Sequence, residues 1–570
     1  MRTQRLLASL TLVAMALVFR GSFAVTALGA QDGSAGRSSY VVVYAQGANA
    51  AEARAALAAV GATVIKENTA IGVATVESSG DLLSLAGSIP SLLGAARNRP
   101  VGRLPDRSVR KLNDADLDRL DTMASAPAQR HESGSDAPTA EPLAERQWDM
   151  AMIHATAAES YARQLGDPRV TVGILDTGID ASHPDLAPNV STGLSRNFTT
   201  DIPSVDGPCE VPSCVDSPLV DDNEHGTHVA GIVAAKLNGL GIAGVAPDVT
   251  LVNIRGGQDS GYFFTQPVVD ALVYAGDIGI DVVNMSFFVD PWLYNCANNP
   301  ADSASAQLEQ RTIVAAVQRA LNYARSRGVT LVASLGNEHT DLGFPTTDRI
   351  SPDFPPGTEY SRAVDNTCLV LPAEGSGVIA VSALGPSGTK ADYSNYGVEQ
   401  TDVSAPGGYF RDLFGTPQYR VVENEVLSTY PRALAEARGE LDPDGSPNTP
   451  FVVRDCSGGV CAYYQYLQGT SMAAPHAVGV AALIVSERGH RDRRPNGGLT
   501  MNPAATQALL QATATPTPCP EPRLVDYTIV GRPPEFNAFC DGDVDFNGFY
   551  GHGIVNALRA VAPSSGPPED

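Results

Sequence analysis

Four polar residues of this sequence have the side chains that acyl transfer requires. That reaction needs a nucleophile, a base, a group that orients the base, and donors for the oxyanion that develops. Ser471 is the candidate nucleophile and His225 the candidate base. Asp176 could orient the imidazole, and the side-chain amide of Asn337 could donate to the oxyanion. Each of these residues could instead have a purely structural role, as a lone serine can as a helix N-cap. The hypothesis of acyl transfer therefore depends on the four residues occurring together.

His225 and His228 lie one turn apart in a stretch of small and apolar residues that predicts a buried helix. Two histidines could suggest a zinc site, but the spacing differs from His-Glu-x-x-His and no third ligand is evident. The pKa of an imidazole suits general-base chemistry near neutral pH. We therefore expect His225 to be the base and His228 to be a hydrogen-bonded core residue.

Alternating strands and helices must position these side chains. Apolar, β-branched runs with little alternation predict strands buried on both faces at 170–175, 249–255, 282–286, 329–333 and 378–382. Helical stretches are predicted at 226–238, 266–278 and 305–327. This order predicts an α/β fold with a parallel β-sheet flanked by helices. Asp176 and Asn337 each follow a strand, where such sheets place active sites.

Residues 38–105 predict a small unit of another kind. The order of strand-like and helical stretches is β-α-β-β-α, with a last strand near 95–104, which is typical of a ferredoxin-like α+β pattern. Residues 106–145 are rich in Asp, Arg, Ser, Ala and Pro and predict a flexible linker. The polar segment 399–467 lacks periodicity and predicts a surface insertion, and residues 563–570 predict a disordered tail.

The first 30 residues predict a secretory signal peptide, and hence a secreted, extracellular protein. Arg2 and Arg5 precede an apolar stretch from Leu6 to Phe19, which is too short to span a bilayer comfortably. Small residues place cleavage between residues 24 and 30. The alternative is an uncleaved membrane anchor.

The net charge limits the classes of partner that this chain can bind, and the cysteine content predicts its disulfides. There are 39 Lys and Arg against 63 Asp and Glu, a net charge of −24, which disfavours nucleic-acid binding. We expect no nucleic acid, no membrane contact after signal removal, and a monomer. The eight cysteines of an exported chain predict disulfides, and Cys209–Cys214 and Cys456–Cys461 could each close a tight loop. No Cys-x-x-Cys pair supports a metal cluster.

Three segments together resemble the subtilisin family of serine proteases. They are "DTGIDASHPDL" (176–186), "HGTHVAG" (225–231) and "GTSMAAPH" (469–476), in the Asp, His, Ser order of that family. The resemblance spans about residues 146–562. It implies that Asp176 orients His225, that His225 takes the proton of Ser471, and that Asn337 lines the oxyanion hole with the Ser471 backbone N–H.

The same resemblance implies substrate-binding residues and a precursor. "NMSFF" at 284–288 matches the strand that pairs with extended substrate, which suggests Ser286, Phe287 and Phe288 as substrate contacts, with Gly336 beside them. Residues 38–105 resemble the family's propeptide, a folding chaperone and inhibitor removed by a cut between about 95 and 146. "YGHGIVNALRAV" at 550–561 resembles its closing helix. The partners implied are protein or peptide substrates and the chain's own propeptide.

Three features depart from the family pattern. The stretch from Asp176 to His225 is long, the 399–467 segment precedes the nucleophile, and Phe288 stands where many relatives carry glycine. A bulky Phe288 could narrow the cleft. The chemistry needs no cofactor, but structural calcium is possible.

One loop has the start of a calcium motif. Asp543, Asp545 and Asn547 follow its spacing, whereas Ile554 stands where its glutamate is expected. These three residues are the metal-site candidates.

We expect a secreted serine endopeptidase that cuts internal bonds in unfolded or loop segments. A second hypothesis is a non-catalytic subtilase fold that binds peptides, its cleft plugged by the 399–467 segment and Phe288. A third is a processing protease dedicated to one target.

Overall fold

The computed structural model describes residues 37–98, 141–289, 291–355, 357–492 and 498–563. The predicted signal peptide, residues 106–140 of the predicted linker and the tail from 564 lie outside the described residues. Among the helices of the described ranges, none has the length and apolar character needed to cross a membrane.

The first unit contains four strands and two helices in the order β-α-β-β-α-β. They are β1 (Ser38–Tyr44), α1 (Ala50–Ala59), β2 (Ala62–Asn68), β3 (Val73–Ser78), α2 (Leu82–Ala86) and β4 (Leu92–Arg97). The strands form one antiparallel sheet with the order β2-β3-β1-β4. Asn49 and Asp81 cap the two helices, because their side chains accept from Ala51 N and Leu83 N.

The rest of the described chain contains eight further α-helices. They are α3 (Trp148–Met152), α4 (His225–Ala234), α5 (Thr265–Ile278), α6 (Ala304–Ser326), α7 (Arg432–Ala437), α8 (Thr470–Arg488), α9 (Pro503–Thr513) and α10 (Ala557–Ala560). The predicted helices at 226–238, 266–278 and 305–327 are confirmed as α4, α5 and α6. The family's closing helix, predicted at 550–561, is only the four residues of α10.

Eighteen strands accompany these helices. They are β5 (Thr171–Leu175), β6 (Arg196–Asn197), β7 (Thr250–Arg255), β8 (Val282–Met285), β9 (Asn295–Cys296), β10 (Thr330–Ser334), β11 (Thr347–Asp348), β12 (Arg362–Ala363), β13 (Cys368–Leu369), β14 (Val378–Leu384), β15 (Val403–Pro406), β16 (Val426–Thr429), β17 (Val452–Ser457), β18 (Val460–Leu467), β19 (His490–Arg491), β20 (Leu499–Thr500), β21 (Leu524–Val525) and β22 (Ala538–Phe539).

Seven of these strands form the central parallel sheet, in the order β15-β14-β10-β8-β5-β7-β6. All five predicted strands belong to it, so the predicted parallel sheet flanked by helices is confirmed. Because side chains alternate along a strand, each strand supplies two cores. Val332 packs into one core, with α4 and α8, whereas Leu331 and Ala333 pack into the other, with α5 and α6. This two-sided burial explains the continuous apolar runs of the sequence.

The first unit packs against α5 and α6 with one face of its sheet. Val41 and Val43 share a core with these helices, whereas Val42 faces a separate small core inside the unit. Lys66 Nζ lies 2.6 Å from Asp270 Oδ2 on α5. A Cβ on Gly94 of β4 would lie 2.2 Å from Thr312 Oγ1 on α6, so a larger residue there would separate the two surfaces.

The segment 399–467 is not wholly the surface insertion that the sequence predicts. Residues 403–406 form β15, the buried edge strand of the central sheet. Further along, β16, β18 and β17 form a three-stranded antiparallel sheet, and β16 packs against α4. The prediction failed because polar strands with buried tyrosines and hydrogen-bonded side chains lack a clean apolar period.

All eight cysteines form disulfides. The predicted pairs Cys209–Cys214 and Cys456–Cys461 are present, as are Cys296–Cys368 and Cys519–Cys540. The sequence alone left the last two pairings open, because they join elements distant in the chain.

Candidate active site

Asp176 and His225 form a buried hydrogen-bonded pair. Asp176 is the first residue after β5, and His225 is the first residue of α4. Asp176 Oδ1 lies 2.8 Å from His225 Nδ1 and also accepts the backbone N–H of Thr177 at 2.8 Å. The aspartate is fully buried and the histidine is 7% exposed. Because Nδ1 contacts the carboxylate, Nε2 is the ring atom left for a reacting group.

Asp221 fixes the start of α4. Its Oδ2 accepts from both the backbone N–H and the hydroxyl of Thr227, at 2.9 and 2.6 Å. Its Oδ1 accepts from the Thr177 hydroxyl at 3.0 Å and from the backbone N–H groups of Asn223 and Glu224. A carboxylate at a helix N-terminus satisfies free N–H groups and opposes the helix dipole. Asp221 was not predicted from the sequence, because it lies four residues before the first residue of α4 and so outside the N-cap position, which is Glu224.

The close approach of α4 to β5 requires a glycine after His225. A Cβ on Gly226 would lie 2.1 Å from the carbonyl oxygen of Gly178 and 3.0 Å from Asp176 Cβ. The Gly226 N–H donates instead to Thr177 Oγ1 at 3.1 Å. The segment following β5 and the first turn of α4 are therefore in direct backbone contact.

Ser471 is the second residue of α8 and is 3% exposed. Its hydroxyl donates to the carbonyl of Ser286 at 3.3 Å, and the Ser286 hydroxyl donates to the carbonyl of Ser471 at 3.0 Å. Asn284 Nδ2 donates to Ser286 Oγ at 2.9 Å. The end of β8 thus fixes the start of α8, and α8 packs against α4, the helix that begins with His225.

Thr470 orients the amide of Asn337. The backbone N–H and the hydroxyl of Thr470 both contact Asn337 Oδ1, each at 2.9 Å, and Thr470 Oγ1 accepts from Gly336 N at 3.1 Å. A Cβ on Gly469 would lie 3.5 Å from Asn337 Nδ2 and 3.7 Å from Ser471 N. An amide N–H and a backbone N–H therefore lie beside the same space, the arrangement an oxyanion needs.

The predicted substrate-binding residues differ in their contacts. Ser286 is buried among the hydrogen bonds to Ser471, and the Phe287 ring stacks on Phe263 with centroids 4.0 Å apart. Phe288 is 6% exposed and belongs to the core shared with α5 and α6. A Cβ on Gly336 would lie 2.4 Å from Asn395 Nδ2, so this position excludes a side chain.

A cleft of about 350 Å³ lies beside Asn337. Its wall includes Glu338, His339, Arg532 and Phe536, the last two from the C-terminal part of the chain. The His339 ring stacks on Phe536 with centroids 3.8 Å apart. Burial, followed by the positive charges of Lys390 and Arg532, lowers the pKa of His339 to about 4. No pattern in the sequence predicts this wall, because its members are distant in the chain.

His228 lies in the core, as predicted. It is fully buried, and its Nε2 lies 2.9 Å from the carbonyl of Gln465 and 3.2 Å from that of Val426 on β16. The zinc alternative has no support in the described residues, where the group of carboxylates, histidines or cysteines close enough to hold an ion contains neither His225 nor His228.

In the predicted calcium loop, side-chain oxygens of Asp543 and Asn547 form internal hydrogen bonds. Asn547 Oδ1 accepts from the backbone N–H groups of Phe549 and Tyr550, at 3.2 and 3.0 Å. Asp543 Oδ1 accepts from Asp545 N and Phe546 N. These are contacts of a turn that holds itself together, so the loop is a poor fit to a cation.

A different acidic cluster was missed. Oxygen atoms of Asp201, Glu210, Asp216 and Asp259 all lie within 4.8 Å of one another. Burial and the charge of Asp216 raise the pKa of Asp201 to about 6, and burial raises that of Asp259 to about 7, although Arg255 opposes both shifts. The four residues have no regular spacing, so no motif could identify them.

Comparisons with known proteins relate this chain to one family. The profile of the subtilase family matches residues 167–553, more than half of the chain. A thermophilic serine proteinase from Bacillus sp. (strain AK1) is 26% identical over 448 residues, 78% of this chain and 77% of that protein. Subtilisin DY from Bacillus licheniformis is 32% identical over 318 residues, 56% of this chain and 77% of that protein.

A similar fold occurs in a solved structure. An epidermin leader peptide processing serine protease from Staphylococcus aureus aligns with a TM-score of 0.60 and 20% identity. The alignment covers 94% of this chain and all of the other.

Proposed function

Since the chain belongs to the subtilase family and is a serine endopeptidase, we propose that Asp176, His225 and Ser471 are its catalytic triad. The observation that supports this most is the buried 2.8 Å contact of Asp176 Oδ1 with His225 Nδ1, on a helix that packs against the one carrying Ser471. Ser471 attacks the peptide carbonyl, His225 takes its proton, and Asp176 holds the imidazole in the required tautomer.

The Ser471 hydroxyl must change its partner for this reaction. It donates to the Ser286 carbonyl, and attack requires it to donate to His225 Nε2 instead. Catalytic hydrogen bonds are often loose without substrate and tighten in the complex. His225 then returns the proton to the leaving amine, and water hydrolyses the acyl-enzyme by the same steps in reverse.

Asn337 and the Ser471 backbone N–H are the proposed oxyanion donors. Thr470 turns the amide oxygen of Asn337 away from the site, so its N–H points where negative charge develops. Such fixed donors lower the barrier because they need no reorganisation during the reaction. Ser286, Phe287, Phe288 and Gly336 are the proposed contacts of the extended substrate.

We propose that residues 38–98 are part of a propeptide that assists folding and inhibits the enzyme until it is cut off. Its contacts with α5 and α6 support this. Lys66 pairs with Asp270, Arg97 N donates to Glu309 Oε1 at 3.0 Å, and Arg319 donates to the carbonyl of Ile71 at 3.1 Å. We further propose secretion through the segment 1–30, which agrees with the four disulfides.

A role as a restricted processing protease is the second candidate. The cleft beside Asn337 has a wall from the C-terminal part of the chain, where Arg532 pairs with Asp392 and lies over the Phe536 ring. Such a wall limits which residues can enter. Cleavage of a peptide library would distinguish a single preferred sequence from broad degradation.

Hydrolysis of a denatured protein tests the proposed activity. Purified protein freed of the first unit should cleave it at a pH between 6 and 10, and Ser471→Ala should not. The exposed substitution Asp545→Asn is a matched control that should retain activity. Absence of cleavage by folded wild-type protein at every pH would favour the peptide-binding alternative.

A further inference from the structure

The residue before the proposed base has an unusual backbone conformation. Glu224 is the N-cap of α4, and its φ of 83° lies in the left-handed region. A residue other than glycine rarely adopts this region, because its Cβ comes too close to neighbouring backbone atoms. Such a conformation persists only where the surrounding structure holds it. Since His225 follows directly, the contacts of Glu224 also determine how the backbone enters α4 at the base.

The side chain of Glu224 is buried and pairs with an arginine. Glu224 is 1% exposed, and its Oε2 accepts from Nη2 of Arg438, the residue that follows α7. The same Nη2 donates to the carbonyl of Asn223 at 3.4 Å. Nη1 of Arg438 donates to Tyr430 Oη at 3.2 Å, and that hydroxyl donates to Glu440 Oε2 at 2.6 Å. One guanidinium therefore contacts both side chain and backbone just before the base.

The segment that carries Arg438 is attached to α4 at two further points. Thr429 Oγ1, at the end of β16, donates to the carbonyl of Thr227 at 2.7 Å. Ser428 Oγ donates to the carbonyl of His228, also at 2.7 Å. The chain passes from β16 into α7 shortly after these contacts. The guanidinium is therefore presented from a strand that is itself hydrogen-bonded to the helix of the base.

The ion pair also balances charge beside the imidazole. Asp176 contacts His225, and Asp221 accepts from the first turn of α4, so two carboxylates already lie at this end of the helix. Glu224 adds a third carboxylate, and Arg438 brings a guanidinium against it. Charges a few ångströms apart interact strongly where water is partly excluded. Removal of either member of the pair would therefore change the electrostatic potential at His225 in a predictable direction.

We propose that Arg438 is a positioning residue for His225 and acts on it through Glu224. Its guanidinium holds Glu224 in the left-handed conformation and offsets the charge of that carboxylate. The inference rests on the proposed function, in which His225 is the base. It gives the part of the 399–467 segment that contains α7 a role in catalysis.

Titration of His225 by NMR tests the effect of charge, in full-length protein carrying Ser471→Ala, which prevents self-digestion. The chain is labelled with ¹³C-histidine, and the His225 signal is identified by its absence from His225→Ala. Arg438→Met removes a positive charge near the imidazole, so the titration midpoint should rise by about 0.5–1 pH unit. Glu224→Gly removes a negative charge and should lower the midpoint by a similar amount. The double variant should titrate close to the parent.

Hydrolysis of a chromogenic peptide by protein expressed as the full chain tests the effect of geometry. Arg438→Met should lower kcat about 10-fold with little change in KM, because a buried carboxylate that has lost its partner leaves the strained conformation. Glycine adopts positive φ without strain, so Glu224→Gly added to Arg438→Met should restore kcat to within about 3-fold of wild type. Arg438→Lys, which retains the charge, should lose less than Arg438→Met.

Arg432→Met is the matched control. Arg432 pairs with Glu436 on the exposed surface of α7, so its removal should leave both the midpoint and kcat unchanged. Equal midpoints in Arg438→Met and its parent, or equal kinetics of Arg438→Met and Arg432→Met, would overturn the inference. A loss of kcat that Glu224→Gly fails to restore would overturn it as well. An inactive wild type would instead contradict the proposed protease activity, and the NMR titration would still decide whether Arg438 acts on His225.

Discussion

Asp221 and Asp201 are two buried aspartates of one loop with opposite environments. Asp221 accepts from five donors, two of them hydroxyls of Thr177 and Thr227. Asp201 has no donor in the described structure, and other carboxylates face it. Asp221 therefore completes a support that the folded chain makes by itself, whereas the cluster around Asp201 brings carboxylates of like charge together. The catalytic region is preformed in this sense, and the acidic cluster is not.

The largest expected effect tests the preformed region. Ser471→Ala or His225→Ala should lower kcat about 10⁶-fold, which is the loss known for the corresponding serine and histidine of subtilisin, a member of this family. Steady-state hydrolysis of a peptide ester or amide measures it. The melting temperature should change little. A loss below about 100-fold in folded His225→Ala would mean that another group activates Ser471, and in folded Ser471→Ala it would mean that another residue is the nucleophile.

The second largest expected effect concerns Asn337, the proposed oxyanion donor. Asn337→Ala should lower kcat about 100- to 1,000-fold, or about 2.7–4 kcal/mol, with little change in KM, as subtilisin shows for its own asparagine. The reason is that this donor contacts charge present only in the transition state. Thr470→Val, which removes the hydroxyl that orients Asn337, should cause a smaller loss of the same kind. If Asn337→Ala raised KM by a similar factor and left kcat unchanged, Asn337 would instead have a role in binding the substrate.

A third prediction contrasts the two aspartates directly. Asp221→Asn should lower the free energy of unfolding by about 2–4 kcal/mol, because each buried donor left without an acceptor costs about 1–3 kcal/mol. Asp201→Asn should leave the free energy of unfolding unchanged or higher, because it removes a charge that the neighbouring carboxylates repel.

Urea unfolding of both variants, on a Ser471→Ala background, measures this contrast. Equal destabilisation of the protein by Asp201→Asn and by Asp221→Asn would contradict this contrast.

The smallest expected effect concerns Lys390. This buried residue has hydrogen-bond partners, as Asp221 has, but burial still disfavours its charged form, as it does for Asp201. Its ammonium donates to the carbonyls of Ala391 and Ser394 at 2.8 Å and lies 5.0 Å from the Tyr396 ring centre. Burial nevertheless lowers its pKa from 10.5 to about 7. The unfolded chain keeps this proton above pH 7 and the folded chain releases it, so Lys390 makes stability rise with pH.

The expected slope between pH 7 and 9 is at most about 1.4 kcal/mol per pH unit from this group. Lys390→Met should reduce the slope, as measured by urea unfolding at several pH values. An unchanged slope would mean that Lys390 stays protonated in the folded protein.

Local patterns of the sequence predicted the strands, the helices and the resemblance to the family, because two-sided burial leaves continuous apolar runs. They also placed Asp176 after β5 and Asn337 near the end of β10. They did not predict Thr470 as the group that orients Asn337, since that contact spans more than a hundred residues. The acidic cluster was missed for the same reason, because Asp259 and Asp201 are distant in the chain and the pairing of β6 with β7 brings their segments together. The interpretation of 399–467 as a surface insertion was wrong in part, because its buried strands contain polar residues and therefore lack the apolar alternation that predicts a strand.

Labelling with a fluorophosphonate is the sharpest test of the proposed triad, because the reagent needs an activated serine. Wild-type protein and His225→Ala, each freed of the first unit, are treated and the adduct is mapped by mass spectrometry. We expect an adduct at Ser471 in wild type and its loss in His225→Ala. No adduct at Ser471 in correctly folded wild-type protein, or an adduct of equal yield in His225→Ala, would contradict the triad.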